Sequence, residues 1–433
     1  MFTYPAAIQI PDFHHPVTAT VRVPGSKSIS NRALILAAAG QKKFLIRDIL
    51  RSEDTELMVA ALASLGWSST WVENDLTIFP RESHPAINPL PIHVGNSGTT
   101  IRFLTAFLAL YPGCYLFDGI PRMRERPIED LLDALRQLNV DVCSARNNGC
   151  PPVELTTNGL HGGTVRINGE RSSQFLTALL LALPFATGDS TIIPVGKTVS
   201  EPYLEMTLRM LQQFGISVSR SERGTYLIPG SQQTTITEYA IEPDASSASY
   251  WFAMAAITQG SIKVTGLNRN SLQGDHRFVD VLEQMGCRIT SDANSLTVNG
   301  QPLRGIDVDM NAISDTVMTL AVVACFATGP TRIRNVEHIR FKETDRLKAI
   351  CTEMQRLGVQ VEEKHDEISI FPGAMQAASL ETYNDHRMAM SLALAGIRIP
   401  GVIIQNPGCV VKTYPGYWQD WQQITGTTLK TLE

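Results

Sequence analysis

One kind of hydrophobic segment recurs six times along the chain. Each begins with small polar residues, continues as an almost unbroken apolar run of about three helical turns, and reaches a glycine. The first three are SKSISNRALILAAAG, NSGTTIRFLTAFLALYPG and RSSQFLTALLLALPFATG, ending at Gly40, Gly113 and Gly188. The second three are ASSASYWFAMAAITQG, ISDTVMTLAVVACFATG and NDHRMAMSLALAGIRIPG, ending at Gly260, Gly329 and Gly401. Successive glycines are 73, 75, 72, 69 and 72 residues apart, a period longer than that of the short solenoid repeats. The polar starts are residues that cap exposed N–H groups at a helix beginning, and the glycines predict helix stops. A helix that is apolar all round has no face for water and must be buried on every side.

A second pattern follows the first in most repeats. TELMVAALASLG, IEDLLDALRQLN, YLEMTLRMLQQFG, RFVDVLEQMG and RLKAICTEMQRLG carry apolar residues at i, i+3, i+4 and i+7, the mark of a helix with one packed face. Short alternating runs such as ISVSRSERGTYLIPG and CRITSDANSLTVNG then predict hairpin strands. The predicted unit is β-α-β-α-β-β, six times over, with the last copy truncated. Three units around shared apolar helices make one domain, so six make two, with the midpoint near residue 241.

Composition narrows the partners. The 433 residues are 43% hydrophobic and 18% charged, enough apolar material for two or three cores and no signature of disorder. Lys and Arg number 37 against 42 Asp and Glu, so no global basic field favours nucleic acid or an anionic membrane. Any anion must be held by a local cluster. Seven scattered cysteines, with no C-x-x-C pair, predict neither a disulfide framework nor a zinc site. The first residues lack a signal-peptide pattern and the apolar runs are too short to span a bilayer. A cytoplasmic protein is expected.

Charged residues gather where anions are favoured. PGSKSISNR places Lys27, Ser28 and Arg32 at the start of the first apolar helix, and GNSGTTIR places two glycines at the start of the second. PRMRERPIEDL brings Arg122, Arg124 and Arg126 together; RSSQF, KETDR and DHR lie at other helix beginnings. Each has a bland reading as a cap or a solvated ion pair. Together they set cations beside N-termini whose free N–H groups and dipoles already attract negative charge. If the helices run alike, their positive ends form a site for small polyanions. No H-E-x-x-H, G-x-S-x-G or P-loop pattern occurs.

PGSKSISNRALILAAA, GNSGTTIRFL, PRMRERPIEDLLDAL, SSQFLTALL, PDASSASY, RFKETDRL and TYNDHRMAM resemble the 5-enolpyruvylshikimate-3-phosphate synthase family, over about Pro24 to Tyr417. The resemblance implies an α/β protein of two inverse α/β barrels, the enolpyruvyl transferase fold, with three βαβαββ repeats per domain. It implies a lower domain of residues 1–24 plus 242–433, an upper domain of 25–241, and an active site in the cleft between them. The implied reaction moves the enolpyruvyl group of phosphoenolpyruvate to the 5-hydroxyl of shikimate 3-phosphate, with release of phosphate and no metal or other cofactor. The expected partners are these two small molecules, with neither nucleic acid nor membrane, and the expected state is a monomer.

Carried over by motif, Lys27, Asn96, Gly98, Thr99, Arg126, Gln174, Arg346, His386, Arg387 and Lys412 are expected at phosphoenolpyruvate. Lys27, Ser28, Arg32, Ser172, Ser173, Gln174, Ser200, Tyr203, Asp315 and Lys342 are expected at shikimate 3-phosphate. Asp315 would take the proton of the attacking hydroxyl, while Glu343 or Lys27 would protonate the methylene carbon. The resemblance also places glyphosate in the phosphoenolpyruvate pocket beside Gly98. His338 stands where many members have Asn, and is left outside the site. Two rivals are the sister transferase acting on a UDP-amino sugar and a non-catalytic anion-binding protein on the same scaffold. The first is disfavoured by Lys27-Ser28 and by the absence of a loop cysteine before Arg126-Pro127, the second by the intact Asp315, Glu343 and Lys27.

Overall fold

The computed structural model describes residues 4–82 and 88–432. The chain divides into two compact units, one of Met1–Pro24 with Glu242–Glu433 and one of Gly25–Ile241. Among the described residues, each unit holds three four-stranded sheets and three of the apolar helices.

In the Gly25–Ile241 unit the apolar helices are Lys27–Ala39, Gly98–Leu108 and Ser173–Ala182, which pack on one another. Every residue of Gly98–Leu108 is buried, including the polar Thr99, Thr100, Arg102 and Thr105. Phe107 is 0% exposed, and its truncation to Ala costs about 3–5 kcal/mol. The other unit repeats the plan with Ala245–Thr258, Val317–Ala324 and His386–Gly396, again buried throughout. Hydroxyls join these three helices internally: Thr319 Oγ1 lies 3.3 Å from Ser249 Oγ and 3.1 Å from Ser391 Oγ. The amphipathic helices Glu53–Ser64, Glu129–Arg136, Glu201–Gln213, Phe278–Gln284 and Arg346–Arg356 lie where their periodicity predicts.

All six sheets share one order. An opening strand pairs in parallel with a central strand, the central strand pairs antiparallel with the fourth, and the third lies at the edge. Leu90–His93, Gly113–Asp118, Val153–Thr157 and Asp141–Ser144 form one such sheet, with Tyr115 opposite Leu90 and Leu155. Three sheets are completed by strands remote in sequence. Glu238–Ala240 opens the sheet of Phe44–Arg47, and Thr18–Val21 opens that of Ser261–Thr265. The sixth repeat, expected to be truncated, is complete in space: Ala7–Gln9 takes its fourth place, between Ile403–Gln405 and Lys430–Leu432.

The glycine stops behave differently from expectation. After the amphipathic helices, Gly66, Gly215, Gly286 and Gly358 have φ of 102°, 79°, 118° and 82°, the left-handed turn that ends a helix. Lys27–Ala39 ends at its glycine, Gly40 taking the C-cap, whereas the other apolar helices end earlier than theirs. Gly98–Leu108 stops five residues before Gly113, and Gln259 rather than Gly260 takes the left-handed C-cap after Thr258. Those glycines lie instead in the turn or at the start of the following strand. Among the described residues, no helix is long and apolar enough to cross a membrane.

Candidate active site

In the Gly25–Ile241 unit, the helix starts supply the polar groups. Ser26, Ser97 and Ser172 are the N-caps, accepting from the N–H of Ile29, Thr100 and Gln174 at 3.4, 3.3 and 3.2 Å. Lys27 follows the first cap and lies 3.3 Å from Asp54, a buried carboxylate on the next helix, so it is not the solvated lysine of the bland reading. The side chain of Arg102 ties two starts together. It donates to Gln174 Oε1 at 2.5 Å and to the Pro127 carbonyl at 3.0 Å, while its guanidinium stacks 5.0 Å from the Phe175 ring. Gln174 Nε2 in turn reaches Thr99 Oγ1 at 3.4 Å.

Gly98 is there for space. A Cβ on it would stand 2.4 Å from Arg126 Nη2, because the Arg126 side chain lies across the helix start and donates to Asn96 O at 2.8 Å and Oδ1 at 3.2 Å. Arg32 is almost fully buried at the first of these helix starts. It is 2% exposed and donates to Thr207 Oγ1 (2.8 Å), the Ser28 carbonyl (2.8 Å), the Tyr203 carbonyl (3.2 Å) and Thr177 Oγ1 (3.5 Å). Thr177 is one turn inward from Ser173. Arg32 has no carboxylate partner among the described residues, and burial lowers its pKa to about 10. Ser200 caps the Glu201–Gln213 helix from a left-handed backbone with φ of 53°, and Ser173 is buried in its helix's first turn.

The Met1–Pro24/Glu242–Glu433 unit holds a denser network. Arg346, 1% exposed, donates to Asp385 through Nε at 2.8 Å, to Glu343 through Nη2 at 2.8 Å and to Asp315 through Nη1 at 3.1 Å. Arg387 Nη2 takes the other Asp315 oxygen at 2.7 Å, and Lys412 Nζ is 4.0 Å from Glu343. Asp385 is also the N-cap of His386–Gly396, accepting from Arg387 N at 2.9 Å. Carboxylates raise the Arg346 pKa despite its burial, so this guanidinium is permanently charged. The reading of K-E-T-D-R as a weak surface pair fails for Arg346, since none of its three partners is exposed. Arg122 and Arg124 do fit that bland reading, pairing with Glu125 and Asp118.

His386 is fully buried, with Nδ1 3.5 Å from Asp385. Lys342 follows the turn Glu337–Phe341, which carries His338. His338 is 4% exposed, and burial with the nearby Lys342 charge lowers its pKa to about 3, so it is neutral at physiological pH. Sequence reasoning missed Asp54, Arg102 and Asp385. Asp385 was visible as a capping residue and Asp54 as a first-turn acid; neither pattern says which cation it meets.

Three repeats per unit, cations at the helix starts and carboxylates held by arginine define an α/β protein equipped to hold small anions. Solved structures share this fold. EPSP synthase from Acinetobacter baumannii matches with a TM-score of 0.83 at 23% identity over 99% of this chain and 100% of that one. The enolpyruvyl transferase NikO from Streptomyces tendae matches with 0.76 at 19% over 99% of both chains. The family model for EPSP synthase (3-phosphoshikimate 1-carboxyvinyltransferase) matches residues 12–421. The 3-phosphoshikimate 1-carboxyvinyltransferase of Nostoc punctiforme is 44% identical over 96% of this chain and 99% of its own. The chloroplastic enzyme of Arabidopsis thaliana is 44% identical over 94% and 83%. The chain belongs to the EPSP synthase family and is a transferase.

Proposed function

We propose that this enzyme transfers the enolpyruvyl group of phosphoenolpyruvate to the 5-hydroxyl of shikimate 3-phosphate, releasing phosphate, with the residues named above in the following roles. The observation that carries the assignment of roles is Asp315, held on one oxygen by Arg346 and on the other by Arg387. A carboxylate fixed on both sides keeps its orientation, and orientation is what a general base needs first. Asp315 removes the hydroxyl proton as the oxygen attacks C2 of phosphoenolpyruvate. Glu343, beside Arg346 and Lys412, delivers a proton to C3. The product of addition is a ketal phosphate; its collapse expels phosphate and returns a methyl proton, restoring the double bond.

Cations offset the charge that builds on the departing phosphate. Lys27, Arg126, Arg346, Arg387 and Lys412 serve phosphoenolpyruvate, with Asn96, Gly98, Thr99 and Gln174 shaping its surroundings. Arg32 supplies positive charge with no carboxylate partner among the described residues, which favours an anionic ligand near its helix start. Ser28, Ser172, Ser173, Ser200, Tyr203 and Lys342 provide hydroxyl and ammonium donors for shikimate 3-phosphate. His386, buried beside Asp385 at the helix start, belongs with the phosphoenolpyruvate set.

The test is phosphate release from the two substrates together. Wild-type chain should release phosphate only when both are present. Asp315→Asn should abolish most of that release while still binding shikimate 3-phosphate in a calorimeter. Release from phosphoenolpyruvate alone, or full activity in Asp315→Asn, overturns the assignment.

A further inference from the structure

Behind Asp315 lies a second carboxyl group, Asp275, that the reaction as described does not use. It sits in the short turn Gly274–Arg277, which packs on both the Asn311–Thr316 turn carrying Asp315 and the Ala245–Thr258 helix. Asp275 is 3% exposed, and Ser246, in the first turn of that helix, donates its hydroxyl to Asp275 Oδ2. The turn is itself fixed. Gln273 Oε1 accepts from Ala245 N at 2.9 Å, and its amide donates to the Pro243 carbonyl at 2.7 Å and to Glu242 at 3.2 Å. Asp275 is therefore built into place rather than swept there by a mobile loop.

We propose that Asp275 is a positioning residue that decides how firmly Arg387 holds Asp315 and phosphoenolpyruvate, leaving the guanidinium to them when protonated and competing for it when ionised. The inference rests on the functional reading above for its substrate. Charge bookkeeping supports it. The charges that act on Asp275 are those of Asp315 on the Asn311–Thr316 turn packed against it, Asp244 at the N-cap of Ala245–Thr258, and Arg387, which is bonded to Asp315. Its own turn adds His276 and Arg277, and the next helix adds Asp280 and Glu283, of which Asp280 is paired outward with Arg269. Burial and the Asp315 charge raise the Asp275 pKa to about 7, Arg387 and the Ser246 hydroxyl opposing them. At low pH it is a neutral acid and Arg387 bonds Asp315 undisturbed. Above neutrality a second anion enters the same cluster, and one guanidinium is divided between two carboxylates and the substrate.

The experiment compares full-length wild type with Asp275→Asn, whose amide mimics the neutral acid, by the KM for phosphoenolpyruvate against pH. Ionisation of the substrate is common to both proteins and cancels in the ratio. The ratio of wild-type to variant KM should be near unity at about pH 6 and rise roughly tenfold by about pH 8.5, with a smaller change in kcat. Ser246→Ala, which removes a donor to the ionised form, should move the rise to higher pH. A ratio that does not change with pH, even if the variant is less stable, overturns the proposal.

A second readout does not depend on the reaction. A carboxyl group whose folded pKa is raised contributes stability that is complete below about pH 4 and is lost as pH rises through about 7. The wild-type unfolding constant should therefore grow relative to that of Asp275→Asn by up to about tenfold per pH unit across that window. If the wild type releases no phosphate at any pH, the functional reading has failed. The unfolding comparison then decides alone whether Asp275 ionises as described, and a flat difference overturns it.

Discussion

Replacing Gly98 by Ala tests whether Arg126 holds phosphoenolpyruvate. The new methyl would stand 2.4 Å from Arg126 Nη2 and 2.8 Å from Cζ, against an ordinary contact of 3.4 Å or more. The guanidinium must therefore withdraw by about 1 Å. It cannot do so freely, because Arg126 is 3% exposed and Nη1 is bonded to Asn96 O at 2.8 Å and Oδ1 at 3.2 Å. Losing or misaligning one charged hydrogen bond costs about 1.5–3 kcal/mol, or roughly 10- to 150-fold in affinity. The KM for phosphoenolpyruvate should rise at least tenfold, and that for shikimate 3-phosphate by less than about threefold. Steady-state kinetics with each substrate varied in turn measures both. An unchanged phosphoenolpyruvate KM would refute the reasoning, since the clash is unavoidable unless Arg126 moves without consequence. Glyphosate, longer than phosphoenolpyruvate, should lose more from the same displacement. If its inhibition constant and the KM shift in equal proportion, Gly98 does not discriminate between them.

Asp315→Asn should lower kcat by roughly 10²- to 10⁴-fold with little change in shikimate 3-phosphate affinity; poor binding with normal saturated turnover would make Asp315 only a ligand. Because Arg346 and Arg387 both bond Asp315, the same variant should also melt at a lower temperature, and an unchanged Tm would mean the two guanidinium contacts contribute nothing. Arg32→Ala removes four donors from buried oxygens, so a lower Tm should accompany a KM increase far greater for shikimate 3-phosphate than for phosphoenolpyruvate. Equal rises in both constants would point to lost folding instead. Of the seven free cysteines only Cys114, Cys143 and Cys150 are not buried, while burial raises Cys325 and Cys351 to about 12. A thiol reagent should therefore modify at most three groups in the native protein and seven after unfolding; prompt native reaction at Cys325 would contradict the packing.

The sequence by itself determined the elements and their order. Capping serines and aspartates mark where the apolar helices begin, and unbroken apolar runs require their burial, because both effects act within one turn of the chain. Ser97 and Asp385 are caps for local reasons that a reader of the sequence can see. Resemblance of whole motifs supplied the residue roles, which periodicity could not. Local pattern failed where an element's end or partner is chosen at a distance. The apolar helices other than Lys27–Ala39 stop short of their glycines, and after Thr258 it is Gln259, not Gly260, that takes the left-handed turn.

Only the tertiary structure decided how each ring of three repeats closes. Nothing near Ala7–Gln9 announces that it completes a sheet with Ile403–Gln405, since strand pairing depends on free edges brought together by the rest of the fold. The same holds for charge. Lys27 with Asp54, and Arg346 with Asp315 and Asp385, join residues 27 to 39 positions apart, and each pair exists because folding removes both partners from water. A sequence shows that an arginine is present; the dielectric around it and the carboxylate it meets are properties of the packed molecule.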